Sequence, residues 1–251
     1  MPTTSSTSSH STPGNRPSGR FAPTRWSLVL AAGGLDTQDA RAALETLCRI
    51  YWPPLYAYVR GRGFSPEDAR DLTQTFFERL LERRGITSVD RAKGRFRSFL
   101  LACMNHFLSD EWDKARALKR GGEDLIVVEL EDAEAWFDMS ASESLTPERA
   151  YERRWAVTLL EQVYRKLQAE HERQGKIQLF TVLRGTLAGK TDEPYAALGA
   201  RLNLSEGAVK VAAHRLRKRY RELLRETIAE TVSTPEEVED ELRYLFQVVQ
   251  G

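Results

Sequence analysis

Apolar positions in this chain recur at three- and four-residue steps along most of its length, the period of helices with one buried face. From Asp39 to Tyr51 that step groups Ala40, Leu44, Leu47 and Cys48. Pro53 and Pro54 predict a break, and the run from Leu55 predicts a restarted helix that Gly61 and Gly63 end. Ser65 then stands as an N-cap, with Pro66 at the first helical position and Asp68 at the third, as in a capping box. The helix that follows is closed by Gly85. Its inner stripe is Ala69, Leu72, Phe76 and Leu80, and its outer stripe is Asp68, Asp71, Thr75, Glu78 and Glu82. A polar loop over Ile86–Gly94 leads into one or two helices running from Arg95 to Arg120. Their core face is Phe96, Phe99, Leu100, Cys103, Phe107 and Leu108.

A second helical block starts at Thr146, a cap followed by Pro147, and steps through Tyr151, Trp155, Leu159, Val163 and Leu167. A shorter helix from Ile177 is closed by Gly185. Tyr195 to Leu224 reads as a helix, a short turn and a longer helix, with Ser205 at the N-cap of the longer one. Val209, Ala212, Ala213, Leu216, Tyr220 and Leu223 form its buried face, while Lys210, His214, Arg217, Lys218 and Arg221 recur opposite. A helix apolar on one side and basic on the other, behind a short turn, suits a DNA major groove. The segment from Pro235 is acidic on one side and apolar on the other, so it is expected to pack back on this block or against a partner. Strand alternation is missing, with Leu125–Leu130 the one short β-like run.

The expected fold is therefore all-α: two small helical domains joined by an acidic linker, the C-terminal one a helix-turn-helix. The boundaries are a disordered tail over 1–23, a first helical domain over 24–121, the linker over 122–146, the helix-turn-helix domain over 147–225 and a helical extension over 226–251. Net charge is only +1 in 251 residues, but it is segregated. Ser205 to Arg225 holds seven Lys/Arg against Glu206 and Glu222, whereas Gly122 to Glu148 holds nine acids and no Lys or Arg. Local basic surfaces thus exist despite a neutral total. No apolar run approaches membrane-spanning length, and the Ser/Thr/Pro-rich N-terminus lacks an apolar signal core, so the expected place is the cytoplasm with no membrane insertion. Cys48 and Cys103 sit on apolar faces as expected for buried small hydrophobes in a reducing compartment.

Three stretches, taken in order, resemble an extracytoplasmic-function sigma factor, the small two-domain class of sigma-70-like RNA polymerase subunits. Leu55–Arg60 with Phe64–Arg83 is similar to the paired helices that bind the polymerase clamp. Phe96–Arg116 resembles the promoter-melting region. Tyr195–Leu224 resembles the helix-turn-helix that reads the upstream promoter element. The resemblance implies a factor that binds core RNA polymerase at its clamp and flap regions, directs it to promoter DNA and assists melting. It allows an anti-sigma factor or other regulator as a further partner. The family commonly has Asn four residues before an Asp. Here His106 stands four before Asp110, with Asn105 beside it, so both are candidates for the melted strand. The loop Ile86–Gly94 and the extension after Arg225 are longer than in a minimal member.

The candidate polymerase-binding residues are Asp68, Asp71, Gln74, Phe77 and Glu78, with Gln74 and Phe77 expected exposed beside the acidic stripe. For the downstream element, Arg95, Arg97 and Lys114 would hold phosphates. Asn105, His106, Asp110 and Trp112 would hydrogen-bond or stack on an extruded base. For the upstream element, Ser205, Glu206 and Gly207 would face the groove with Lys210 and His214, and Arg215, Arg217, Lys218 and Arg221 would hold the backbone. The acidic linker would thread between the domains, its charge mimicking nucleic acid in a basic channel. An enzyme is not expected: the four histidines are scattered, no metal-ligand spacing or glycine-rich phosphate loop occurs, and no cofactor is implied. Two other readings remain, a helix-turn-helix regulator that binds an operator independently of polymerase and a helical interaction protein with a vestigial DNA-binding end.

Overall fold

The segment around Pro53 and Pro54 carries no charge from Ile50 to Val59, and it governs how the other helices are arranged. The computed structural model describes residues 38–82, 95–117, 145–189, 193–232 and 234–250, with side chains described from 47 onward except at 81–82, 113–117 and 235. The prolines do not break the helix. A single helix, α1, spans Gln38–Gly61 with both prolines inside it. Each removes a backbone donor and costs about 3 kcal/mol in a helix interior. Burial offsets that cost, because Tyr51 to Val59 are all buried and Trp52 stacks on Tyr56 with ring centroids 5.2 Å apart. A helix apolar all round is stable only when covered all round.

The cover comes from both sequence blocks. Helix α2 (Pro66–Glu82) begins at Ser65, whose Oγ accepts from the Asp68 amide at 3.1 Å, and it packs on α1. Helix α3 is one helix, Phe96–Ala117, touching α1 and α2. Helix α4 (Pro147–Arg173) is capped by Thr146, whose side chain accepts from the Arg149 amide at 3.3 Å. Its stripe of Tyr151, Trp155, Leu159, Val163 and Leu167 is buried throughout. Among the described residues the most extensive helix–helix contact is α1 against α4. At its end a Cβ on Gly61 would lie 3.1 Å from the Pro147 Cα, tighter than ordinary van der Waals contact, so the two segments approach closely there.

Helix α5 (Ile177–Leu183) continues into a short 3-10 turn, Arg184–Ala188, and both lie near α6 (Tyr195–Leu202) and α7 (Glu206–Ala229). Helix α8 (Pro235–Gln250) folds back across α4 and α7 through Val238, Leu242 and Leu245. The fold is all-α, with no strand among the described residues. One continuous cluster of buried side chains runs from Leu47 in α1 to Leu245 in α8. Cys48 and Cys103 are half-buried rather than buried and form no disulfide, and burial raises the Cys103 thiol pKa. The tail 1–23, the loop Ile86–Gly94 and the linker up to residue 144 lie outside the described residues, as do the side chains of Glu82 and Lys114.

Candidate nucleic-acid interface

The turn between α6 and α7 is closed by short-range backbone geometry. Asn203 ends α6 in the left-handed region at φ 53°, a conformation asparagine tolerates, and Leu204 donates its amide to the Gly199 carbonyl at 2.9 Å. A Cβ at Gly199 would sit 2.6 Å from the Leu204 carbonyl oxygen, so only glycine fits. Ser205 then caps α7, its Oγ accepting from the Ala208 amide at 3.3 Å. Val209, Ala213, Leu216 and Leu223 are buried under the helix as its pattern requires, and Ala212 and Tyr220 are half-buried.

The candidate DNA-facing residues of α7 stand outward. Ser205, Glu206, Gly207, Lys210, His214, Arg215, Lys218 and Arg221 are exposed, and Arg217 is half-buried. Two are already paired: Lys210 Nζ lies 2.6 Å from Glu206 Oε1, which raises the lysine pKa, and Lys218 Nζ lies 3.9 Å from Glu222 Oε1. Such exposed pairs contribute little and can exchange partners with phosphate. The basic pattern misses two features. Val211 is 51% exposed, and it shares with Gly207, Ala208 and Arg215 one wall of a cleft of about 640 Å³ whose other wall includes Glu170, His171 and Lys176. Arg219 is spoken for by structure: it grips Glu170 at 2.9 and 2.6 Å and Glu226 at 3.1 Å, tying α7 to α4. Those bonds hold the Glu170 carboxyl below its ordinary pKa. Helical spacing alone cannot separate such a strut from its basic neighbours.

On α3 the outer face carries Asn105, His106, Asp110 and Trp112, all exposed, with Trp112 at 61%. Tyr58, buried in α1, donates its hydroxyl to Asn105 Oδ1 and fixes that side chain's orientation. Arg97 departs from expectation. It is 6% exposed and lies against α4 and α8, its Nε 2.6 Å from Glu241 Oε1 and its guanidinium 4.0 Å from the Tyr244 ring centre. Burial opposes its charge, but the attraction and hydrogen bond of Glu241 outweigh this, so its pKa is raised. Arg95, half-buried, reaches the same carboxylate, Nε to Oε2 at 3.0 Å. A pattern read within one helix does not report a second helix laid across its start.

On α2, Asp68 and Asp71 are exposed, and half-buried Gln74 donates to Glu78 Oε1 at 3.0 Å. Phe77 also departs from expectation: it is 5% exposed and packs edge-on against Phe76, with centroids 5.4 Å apart. The inner stripe is simply wider than its first four members, including Thr73 and Phe77 as well. The acidic face beside it is left to Asp68, Asp71, Gln74 and Glu78.

An acidic α2 and an α3 with an exposed tryptophan are thus both braced on α1. Residues 47–118 match sigma-70 region 2. The matched stretch covers the C-terminal part of α1 and all of α2 and α3, less than a third of the chain. It supports a sigma-70-family sigma factor acting in promoter recognition by RNA polymerase. No curated protein and no solved structure matches the chain. In this region 2 stretch the outward residues are thus the acids of α2 and the polar and aromatic residues of α3. Among the described residues there is no group of side chains suited to hold a metal, and no helix is long and apolar enough to cross a membrane.

Proposed function

We propose that this chain is a sigma factor of the extracytoplasmic-function type, a non-catalytic subunit that works in the cytoplasm. The region 2 stretch binds the polymerase clamp through Asp68, Asp71, Gln74 and Glu78. The outer face of α3 captures a melted promoter strand, with Trp112 as the stacking platform and Asn105, His106 and Asp110 beside it. The α6–α7 unit enters the major groove of the upstream element with Ser205, Glu206 and Gly207 leading, while Arg215, Arg217, Lys218 and Arg221 hold phosphates. The acidic linker joins the two functions. The observation that carries this reading is the region 2 match coinciding with an outward acidic α2 and an exposed Trp112 on α3.

Run-off transcription tests it: purified chain is added to bacterial core polymerase on promoter fragments, including the one upstream of its own gene. Specific transcripts that need both components are expected. Promoter binding by the chain alone, with no transcript and no complex with core, would replace this reading with an operator-binding regulator.

A further inference from the structure

Arg95 and Arg97 stand at the start of the helix proposed to capture the melted strand, yet Arg97 is buried and Arg95 is half-buried, and both are already held by a carboxylate. Both converge on one carboxylate. Glu241, 1% exposed, places Oε1 2.6 Å from Arg97 Nε and Oε2 3.0 Å from Arg95 Nε. The guanidinium of Arg97 is sandwiched further, 4.0 Å from the Tyr244 ring centre and 5.2 Å from that of Trp155, with Glu152 at 3.6 Å. The hydroxyl of Tyr151 donates to the Arg97 carbonyl at 2.8 Å. Helix α8 brings Glu241 there while its apolar side packs on α4 and α7, and Arg225 of α7 holds Glu239 at 2.9 Å.

A buried ion pair is a poor choice if the only task is to hold α8 in place. Apolar residues of similar volume would hold it as well or better. A carboxylate, however, presents arginine with a pair of anionic oxygens, as the two non-bridging oxygens of a nucleic-acid phosphate do. We propose that α8 is an autoinhibitory clasp in which Glu241 occupies the phosphate-binding position of Arg95 and Arg97, so that single-stranded promoter DNA and α8 compete for the same two arginines. The proposal rests on the reading of α3 as a DNA-capturing helix. When the binding-competent form is a minor population of roughly 0.1–10%, the apparent affinity is reduced by that fraction. The clasped chain therefore binds single-stranded DNA weakly, and weakening the clasp raises the affinity.

The test is fluorescence anisotropy of a labelled single-stranded promoter oligonucleotide with the full chain and with Glu241→Gln, which keeps the side-chain shape and removes the charge. The variant should bind about tenfold more tightly or better. A second measurement uses the unaltered chain: hydrogen exchange of 238–247 with and without saturating oligonucleotide should quicken when DNA is bound. Equal affinities of a folded variant and the unaltered chain overturn the clasp. Should the variant fail to fold, exchange that is unchanged by bound DNA overturns it instead. If either happens while run-off transcription with core polymerase persists, the sigma reading stands without the clasp. Absence of binding to the oligonucleotide, alone and with core, removes both.

Discussion

Replacing Gly199 by alanine sets two known effects against each other, and the structure decides which wins. In a helix interior alanine is favoured over glycine by about 1 kcal/mol. Against that gain, the new Cβ would lie 2.6 Å from the Leu204 carbonyl oxygen, a backbone atom whose own amide is bonded back to Gly199 at 2.9 Å. The turn can relieve the contact only by opening, and forced overpacking of this kind costs about 1–3 kcal/mol. The net is a loss of up to about 2 kcal/mol, and in a chain of this size each kcal/mol lowers the melting temperature by about 2–4 °C. Gly185 is the control, since a Cβ there meets nothing within 4 Å and its φ is not positive, so Gly185→Ala should be neutral or stabilising. Calorimetry on both variants, with anisotropy on upstream promoter DNA, makes the comparison. Gly199→Ala should melt lower and bind DNA less tightly, because opening the turn moves Ser205 and the start of α7. A Gly199→Ala chain more stable than the unaltered one, as a helix-interior glycine without a close neighbour would give, would refute the close approach of α6 to the turn.

Four further outcomes follow from the same geometry. Asp71→Lys, at an exposed position, should leave the melting temperature unchanged and slow association with core polymerase by about tenfold or more, as charge reversal at a steered interface does; an intact complex on gel filtration with an unaltered on-rate would refute the clamp assignment. Trp112→Ala should leave stability unchanged and reduce promoter opening, read by permanganate footprinting, by the worth of one stacked base, about 1–3 kcal/mol. Arg217→Ala should weaken all upstream sequences about equally, whereas Glu206→Ala should change preference at one base pair; competition binding across a randomised site separates the two. Because the Arg219 hydrogen bonds depress the Glu170 pKa, that carboxylate adds stability above its unfolded value near 4.5 and loses it as pH falls through its folded value. Glu170→Gln should therefore flatten the fall in melting temperature on the acid side, and parallel acid profiles for the two proteins would count against the strut.

Much of the helical framework was legible in local chemistry. Ser65, Thr146 and Ser205 each cap the helix their position predicted, because a cap depends on a hydroxyl and the next three residues. The stripe Tyr151, Trp155, Leu159, Val163 and Leu167 was legible because its period is the helix's own. The failures have one physical origin. Periodicity sorts residues among faces of a helix, but it does not report how many neighbours a helix has. Arg97 lies off the apolar face of α3, which normally means solvent, yet α4 and α8 cover it. Phe77 lies beside the core stripe and is drawn under it.

The run from Tyr51 to Val59 did contain the missing information, in a form that pairwise spacing overlooks. Read for breakers, Pro53 and Pro54 end a helix. Read for charge, nine consecutive residues offer none, and α2 and α3 together form one side of cover. A helix without a polar face requires a second apolar surface opposite the first, and the long stripe of α4 is the one that meets it. The prolines are then tolerable because two-sided burial, rather than the backbone ladder, holds this stretch helical. The same reasoning constrains what polymerase binding can do. Drawing α4 away from α1 gives up the most extensive contact among the described helices and exposes Tyr58, whose ring meets Tyr151. Release of α8 exposes Val238, Leu242 and Leu245 but leaves the α1–α4 contact in place, so it is the smaller change.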